Sequence, residues 1–268
     1  MDIAFLIQWS ERNLRQHLTG LAARLKGMTV VERAGCTLVD TGFQSDTLNT
    51  VCGAPRHLLS SDEIRWILDY YRSRQLPFTW WVGPSDLWAG DALCGHGLAL
   101  GEVEMGLAGE LDRLALPVAG PGVDVRLASR LDDVLDHARV VASVFTPVDE
   151  ALLAFYDRAA KTVLDRGTDR HLFVLREGGA PQSTVELCIS EHIVGVYAVA
   201  TRPDARGRGL AAAAVGEALR FARDTLGART VVLQSNHHAR PLYERIGLCA
   251  IGEFHEFLPE VDDEEWAG

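Results

Sequence analysis

The feature that most constrains this chain is a strand, a glycine loop and a small-residue helix that follow one another between residues 192 and 226. The run from Ile193 to Thr201 is rich in β-branched and aromatic residues, which is typical of a buried strand. Pro203 ends it, because proline has no N–H for a sheet ladder. The loop from Arg206 to Gly209 then leads directly into an alanine-rich helix with apolar residues at helical spacing. The pattern predicts a helix packed on a sheet.

This loop has the properties of an anion site. The first amides of a helix have no partner within the helix, and the helix dipole places partial positive charge there. Gly207 and Gly209 let the backbone approach a ligand closely, and Arg206 and Arg208 add charge. We therefore expect a phosphate-bearing ligand at the start of the helix.

Two well-known phosphate loops fit poorly. A Walker A loop needs a Gly-Lys-Ser/Thr ending, which is absent. A dinucleotide fingerprint is formally present, since Gly207, Gly209 and Ala212 match G-x-G-x-x-A. However, the next strand ends in Gln234-Ser235-Asn236, without the acidic residue that would bind a ribose. The hypothesis of a dinucleotide-dependent enzyme would be supported only if the protein bound NAD in preference to coenzyme A.

A third pattern fits better. Arg206-x-x-Gly209-x-Ala211 resembles the pyrophosphate loop of the GNAT superfamily of acyl-CoA-dependent N-acyltransferases. Downstream, a predicted strand over 230–234 precedes Asn236-x-x-Ala239-x-x-x-Tyr243-x-x-x-Gly247, which resembles the fifth strand and fourth helix of that family. Leu248 stands where the family usually has Phe. The resemblance extends over residues 123–258 in element order and over 199–247 in motifs.

The resemblance implies acetyl-CoA as cofactor and direct transfer to a primary amine. It places the main-chain N–H of Val199 on the thioester carbonyl and makes Tyr243 the acid that protonates the leaving thiolate. With an ordinary pKa near 10, Tyr243 is protonated at neutral pH. The residues that the resemblance assigns to cofactor binding are Val199, Thr201, Arg206, Gly207, Arg208, Gly209, Leu210, Ala211, Asn236 and Tyr243.

The general base is less defined by the sequence. Many family members carry a glutamate on the central strand, but residues 193–201 contain no carboxylate. Glu186 on the preceding strand is the catalytic candidate, while His237, Tyr197 and a water relay remain open. We expect no metal site, because the adjacent His237 and His238 would point to opposite sides of an extended segment.

The chain also contains a domain-scale repeat. Residues 97–102 resemble residues 247–253, and the predicted order of elements is similar around both. The Pro/Gly-dense stretch 117–122 is a natural linker between residues 1–116 and 123–268. We predict an α+β fold of two GNAT-like domains, each a twisted, mostly antiparallel sheet flanked by helices. The N-terminal domain would be truncated and, lacking the loop motif at 53–60, without cofactor; its first helix would be capped by Ser10.

Composition limits the classes of function. A formal net charge of −11 argues against a nucleic-acid partner and favours amine-bearing substrates. Five scattered cysteines without a C-x-x-C motif indicate a reducing cytoplasm, and no apolar run is long enough to span a membrane. The acidic run at 262–265 is expected to be solvated, and the protein is expected to be a monomer or a homodimer.

The functional prediction is thus a cytoplasmic N-acetyltransferase that moves an acetyl group from acetyl-CoA to a small-molecule primary amine in a ternary complex. The alternative is a non-catalytic acyl-CoA-binding sensor or scaffold, suggested by the missing carboxylate on the central strand.

Overall fold

The computed structural model describes residues 2–260, so the acidic run at 262–265 lies outside the described residues. The helices of this range are α1 (Ile3–Gly20), α2 (Ser61–Arg72), α3 (Gly90–Cys94), α4 (Leu131–Ala142), α5 (Glu150–Val163), α6 (Leu210–Asp224) and α7 (Arg240–Ile246). The strands are β1 (Thr29–Arg33), β2 (Cys36–Asp40), β3 (Thr50–Cys52), β4 (Thr79–Val82), β5 (Leu98–Glu110), β6 (Val123–Leu127), β7 (Arg170–Glu177), β8 (Ala180–Ser190), β9 (Ile193–Thr201), β10 (Thr230–Ser235) and β11 (Cys249–Pro259). Within residues 2–260, none of the helices combines the length and apolar character needed to cross a membrane.

All of these strands lie in one sheet, in the order β1-β2-β3-β4-β11-β5-β10-β9-β8-β7-β6. Only the β3–β4 and β9–β10 pairs are parallel, and the other neighbours are antiparallel. The predicted α+β fold, with a mostly antiparallel sheet flanked by helices, is confirmed. The two halves of the chain are not separate sheets, however, but join edge to edge.

The join between the halves is an exchange of their last strands. Strand β5 of the first half lies between β10 and β11, and β11 of the second half lies between β4 and β5. Along this central pair, Leu98 faces Pro259 and Ala108 faces Cys249, so each end of one strand meets the opposite end of the other. This arrangement has the two-fold form that the sequence repeat implies. The residue bounds of the two domains stay a prediction.

The helices cover both faces of the sheet. Alternate residues of β7 divide between the two faces: Phe173 packs with α6, while Leu172 packs with α4 and α5. The small residues of α6 allow close contact with the sheet and with the linker. A Cβ on Gly216 would lie 2.1 Å from the carbonyl oxygen of Pro117, so only glycine fits at this crossing.

Helix α1 begins earlier than the sequence pattern indicates. The predicted N-cap, Ser10, is wrong: the side chain of Asp2 caps the helix by accepting the amide of Ala4 at 3.0 Å. Ser10 instead lies buried in mid-helix, where its hydroxyl oxygen accepts a hydrogen bond from Gln234 at 2.9 Å. The extra turns form because apolar side chains before Ser10, including Leu6, pack on β5 and β10. Helix α1 thereby ties the first half to the sheet of the second.

Candidate active site

The candidate site begins where two parallel strands part. Strands β9 and β10 are paired only over residues 193–195 and 230–232. Beyond that point β9 continues along β8, while β10 continues along β5 through Leu233, Gln234 and Ser235. A wedge therefore opens between the carboxyl ends of β9 and β10. Parting of this kind exposes main-chain groups that a ligand can bind.

A β-bulge lies on β9 at the wedge. The register with β8 passes from Tyr197 opposite Glu186 to Ala200 opposite Thr184, so Ala198 and Val199 together oppose one residue. Ala198 has a φ of 45°, in the left-handed region that an alanine rarely adopts. The hydroxyl of Thr184 donates to the Ala198 carbonyl at 3.0 Å and steadies the bulge. Bulges redirect backbone groups, and this one leaves Val199 outside the regular ladder.

The glycine loop follows β9 on the same side of the sheet. Gly207 and Gly209 have φ values of 75° and 76°, and a Cβ on either would meet nothing within 4 Å. Gly209 is the N-cap of α6, and no side chain caps that end of the helix. Arg206 donates to the Thr201 carbonyl at 3.3 Å, and Arg208 forms an ion pair with Glu177. The open backbone and the uncapped amides fit a phosphate group.

The corresponding loop of the first half is closed by the protein itself. It follows β3, and the amide of Ala54 donates to a carboxylate oxygen of Asp86 at 2.9 Å. The hydroxyl of Ser60 caps α2 by accepting the amide of Glu63 at 3.3 Å. In the first half, a carboxylate of the protein and a side-chain cap thus bind the backbone amides of the loop and of the helix start. In the second half, no side chain caps the start of α6. This contrast agrees with the missing loop motif at 53–60.

The two motif residues that follow β10 lie in the turn before α7 and on α7 itself. Asn236 accepts the amides of His238 and Ala239 at 3.2 and 3.1 Å, so its side-chain oxygen orders the turn that leads into the helix. Tyr243 is 4% exposed, and burial, with a smaller effect from Glu104, raises its pKa above the ordinary value. Tyr243 is therefore protonated at neutral pH. Among residues 2–260 its hydroxyl has no hydrogen-bond partner and is free to donate.

Glu186 lies in a buried polar network on the other face of the sheet. Arg170 donates to one carboxylate oxygen at 2.7 Å, and Tyr156 donates to the other at 2.7 Å. The ring nitrogen Nδ1 of His17 is 3.3 Å from the first oxygen. Burial alone would raise the pKa of Glu186, but the hydrogen bond from His17 and the charge of Arg170 hold it well below its usual range. The carboxylate is ionised at neutral pH.

The other candidates for a base lie in different surroundings. Tyr197 is buried, stacks on the ring of His17, and donates its hydroxyl proton to Asn13 at 2.8 Å. His237 is exposed on the loop between β10 and α7. In the described part of the chain, no group of three or more histidine, cysteine or acidic side chains is arranged to hold a metal ion.

A cavity of about 280 Å³ connects Glu186 with the bulge. Its wall includes His17, Arg170 and Glu186 on one side and the bulge residues 198–200 on another. Residues of the first half, among them Leu48 and Thr50, complete it. The sequence prediction missed His17 and Thr50, because neither belongs to a local motif and both reach the site only through the packing of the two halves.

Comparisons with known proteins find a family model that matches part of the second half. Residues 134–248 match the model of the acetyltransferase (GNAT) family. No curated protein sequence matches the chain.

Solved structures extend the comparison to the whole chain. A GCN5-related N-acetyltransferase from Kribbella flavida aligns with a TM-score of 0.72 at 17% identity, over 95% of this chain and 97% of that chain. A GCN5-related N-acetyltransferase from Sphaerobacter thermophilus gives 0.57 at 16% identity, over 88% and 84%. A tandem GNAT protein from the clavulanic acid biosynthesis pathway gives 0.56 at 12% identity, over 94% of each chain. At these identities the likeness is one of fold, and it includes the tandem arrangement.

Proposed function

We propose that this protein is an N-acetyltransferase that moves an acetyl group from acetyl-CoA to a primary amine, on the premise that residues 134–248 form a domain of the GNAT acetyltransferase family. The observation that carries the proposal is the wedge between β9 and β10, which ends at the bulge and continues into the cavity. A thioester held in the wedge and an amine held in the cavity would meet at Val199. Direct transfer in a ternary complex needs one such meeting point.

The loop after β9 would hold the pyrophosphate of acetyl-CoA. Bound there, acetyl-CoA would supply the activated acyl group and a thiolate as leaving group. The backbone amides of the stretch from Gly207 to Ala211 would bind phosphate oxygens, since both glycines leave open space and no side chain caps the helix. Arg206 and Arg208 would add charge. Arg208 would do so by exchanging its pairing with Glu177 for the ligand.

Four residues would act on the acyl group and the pantetheine arm of the cofactor. The N–H of Val199 would donate to the carbonyl oxygen, since the bulge takes it out of the ladder. Thr201 and Asn236, at the ends of the two parted strands, would contact the pantetheine arm. Tyr243, kept protonated by its raised pKa, would donate its proton to the leaving sulfur.

Glu186 is the proposed catalytic carboxylate. Its low pKa makes it a weak proton acceptor, so we assign it the orientation of the amine rather than final removal of the proton. A carboxylate has about four lone-pair sites, and Arg170 and Tyr156 leave room for one more N–H donor. The proton would then pass to solvent through the open side of the cavity.

Calorimetric titration with acetyl-CoA tests the proposal. We expect the parent protein to bind, and a double Arg206→Glu, Gly209→Asp variant to lose binding, because both changes place negative charge where phosphate would lie. Gly209→Asp also puts a side chain at a φ of 76°, so Gly178→Asp, at a φ of 57° in an open turn, serves as the matched control for backbone strain. Binding by the folded double variant would show that the cofactor lies elsewhere.

A second readout separates an enzyme from a sensor. Release of free thiol is measured for the parent and for Tyr243→Phe with amines present. An enzyme should slow by about 10²-fold or more in kcat when its proton donor is removed. A protein that binds acetyl-CoA and releases no thiol with any amine would instead be an acyl-CoA-binding sensor.

A further inference from the structure

The cavity beside the bulge has a definite chemical character, and this limits what can occupy it. We infer that it binds the acceptor, and that the acceptor is a compact monoamine with an apolar skeleton and one uncharged hydrogen-bonding group, of which tyramine is an example. The inference rests on the proposed function, because it identifies the amine that the acyl group reaches. It adds a substrate class and gives the first half of the chain a role in choosing it.

The size of the cavity favours a compact ligand. Sites for drug-sized ligands have volumes of about 300 to 1,000 Å³, and this cavity has about 280 Å³. Two of the residues that line it are exposed, Phe145 in the loop after α4 (38%) and Thr47 of the first half, so the cavity reaches solvent there. A long polyamine or a peptide would exceed this volume and extend beyond the cavity.

The wall of the cavity is mostly apolar. Leu21 and Ala22 line it from the end of α1, Val141 from α4, and Leu152 and Phe155 from α5. Each of these side chains is buried in the protein. An apolar group gains free energy when it leaves water for such a wall. A ring or a branched alkyl group fits it better than a chain of charged or hydroxylated carbons.

The polar floor carries no net charge. Arg170 and Glu186 form a buried ion pair at 2.7 Å, with side chains 0% and 1% exposed. The two Nη atoms of Arg170 donate to Glu186 and to the carbonyls of Gln16 and His17, while its Nε is buried without a hydrogen-bond partner among residues 2–260. Burial lowers the pKa of His17, which is therefore uncharged at neutral pH. A second ammonium or a carboxylate on the acceptor would find no uncompensated opposite charge, and burying an unpaired charge is costly.

Besides the Nε of Arg170, one hydroxyl in the cavity wall also has no hydrogen-bond partner among residues 2–260. Thr50 is 2% exposed, and its hydroxyl has no hydrogen-bond partner among residues 2–260. Buried hydroxyls in proteins are nearly always hydrogen-bonded. Thr50 lines the cavity from β3, in the first half. A hydroxyl or similar neutral group on the far end of the acceptor would satisfy it, which is why we specify one uncharged hydrogen-bonding group.

The test compares four amines as acceptors for the 268-residue protein with acetyl-CoA, measuring kcat/KM by thiol release. The amines are tyramine, 2-phenylethylamine, spermidine and phenylalanine. We expect tyramine to exceed spermidine and phenylalanine by at least about 10-fold, and 2-phenylethylamine to lie between. The inference is overturned if spermidine or phenylalanine is the better substrate, or if a protein that binds acetyl-CoA uses none of the four.

Two variants localise the effect. Thr50→Val keeps the shape of the side chain and removes its hydroxyl, so the preference for tyramine over 2-phenylethylamine should fall to about one. Leu48→Trp should fill the cavity and lower kcat/KM for tyramine about 10-fold or more, while Leu58→Trp, at a position 57% exposed and outside the cavity wall, should not. The acceptor role of the cavity would be contradicted if Thr50→Val kept the preference for tyramine over 2-phenylethylamine. It would also be contradicted if Leu48→Trp and Leu58→Trp changed kcat/KM equally.

Failure of the inference can be told from failure of the proposed function. If the protein does not bind acetyl-CoA, the proposed function fails, and the cavity is tested by titrating tyramine alone into the parent and into Leu48→Trp. Binding that the variant loses keeps the cavity assignment, and absence of binding removes it. If acetyl-CoA binds and spermidine is preferred, only the acceptor class is wrong.

Discussion

His137 is a buried polar residue whose environment makes stability depend on pH. It is 0% exposed, neither ring nitrogen has a hydrogen-bond partner among residues 2–260, and burial lowers its pKa to about 4. In an unfolded chain the pKa of histidine is about 6.5. Between these values the unfolded state binds a proton that the folded state does not. Stability is therefore lost as pH falls from about 6.5 towards 4, by about 2 kcal/mol at pH 5 for this residue.

Replacing His137 by Phe should remove this contribution. We expect His137→Phe to lose less unfolding free energy between pH 7 and pH 5 than the parent, by about 2 kcal/mol. It should also be at least as stable at pH 7, because the unpartnered nitrogens are gone. Urea unfolding at the two pH values measures both effects, with the exposed His57→Phe as control. The same slope in His137→Phe and the parent would show that His137 is not the titrating group.

At the scale of residues, the sequence predicts which residues belong to a local motif better than it predicts which side chains they contact. The glycines of the 206–211 loop could be identified because their spacing follows from the geometry of one turn. Glu186 could be named as a candidate, but its ion pair with Arg170 could not be foreseen, since the two lie on neighbouring strands whose register no local pattern gives. His17 and Thr50 carry no motif at all and gain their position from contacts more than a hundred residues away.

At the scale of elements, helix α1 is fixed on β9 by one close approach. A Cβ on Gly195 would lie 1.8 Å from the side-chain oxygen of Asn13 and 2.4 Å from the ring of Tyr197. Asn13 cannot swing away freely, because it accepts from Tyr197 at 2.8 Å and donates to the Cys188 carbonyl at 3.2 Å. The strand containing Gly195 was predicted from its composition, but this contact depends on α1 crossing it.

We expect Gly195→Ala to destabilise the protein by loosening α1. The added methyl group should lower the unfolding free energy by about 1 to 3 kcal/mol, as overpacking in a core usually does. Gly120→Ala is the matched control: a Cβ there meets nothing within 4 Å, and the change should stay within about 0.5 kcal/mol. Urea unfolding curves measure both variants. Equal midpoints for Gly195→Ala and the parent would mean that α1 is not held at this point.

At the scale of the whole molecule, the tandem architecture and the exchanged strands differ in how far the sequence reveals them. The similarity of residues 97–102 to 247–253 predicts a repeat, because it repeats the approach to a strand after a short helix. Which sheet each final strand joins depends on long-range pairing. Residues of β5 have the same alternation whether they lie beside β4 or between β10 and β11. The bulge near Ile251 and the approach of Pro84 to Gly252 adjust β11 to its place, and neither has a local signature.

The exchange has a consequence for the two halves when they are produced as separate chains. Without β5, strand β10 would expose the backbone groups that pair with residues 105–110, and β11 would lose its central neighbour. An unpaired strand edge of that length invites association. The second half alone would also lose helix α1, which packs on β8, β9 and β10. We therefore expect residues 123–268 alone to be non-monomeric or unfolded, and residues 1–116 alone to behave in the same way.

Produced together, or obtained by cutting the full chain at a protease site placed within 117–122, the two fragments should form a stable one-to-one complex. Light scattering after size-exclusion chromatography gives the mass, and amide exchange of β10 reports the pairing with β5. In the complex, the opening free energy from exchange of these amides should be about the free energy of global unfolding. In the isolated fragment 123–268, the same amides should exchange freely. A monomeric, cooperatively unfolding 123–268 fragment would show that the second half completes its own sheet. The acceptor cavity, which needs Leu48 and Thr50, should then be missing from that fragment even if acetyl-CoA still binds.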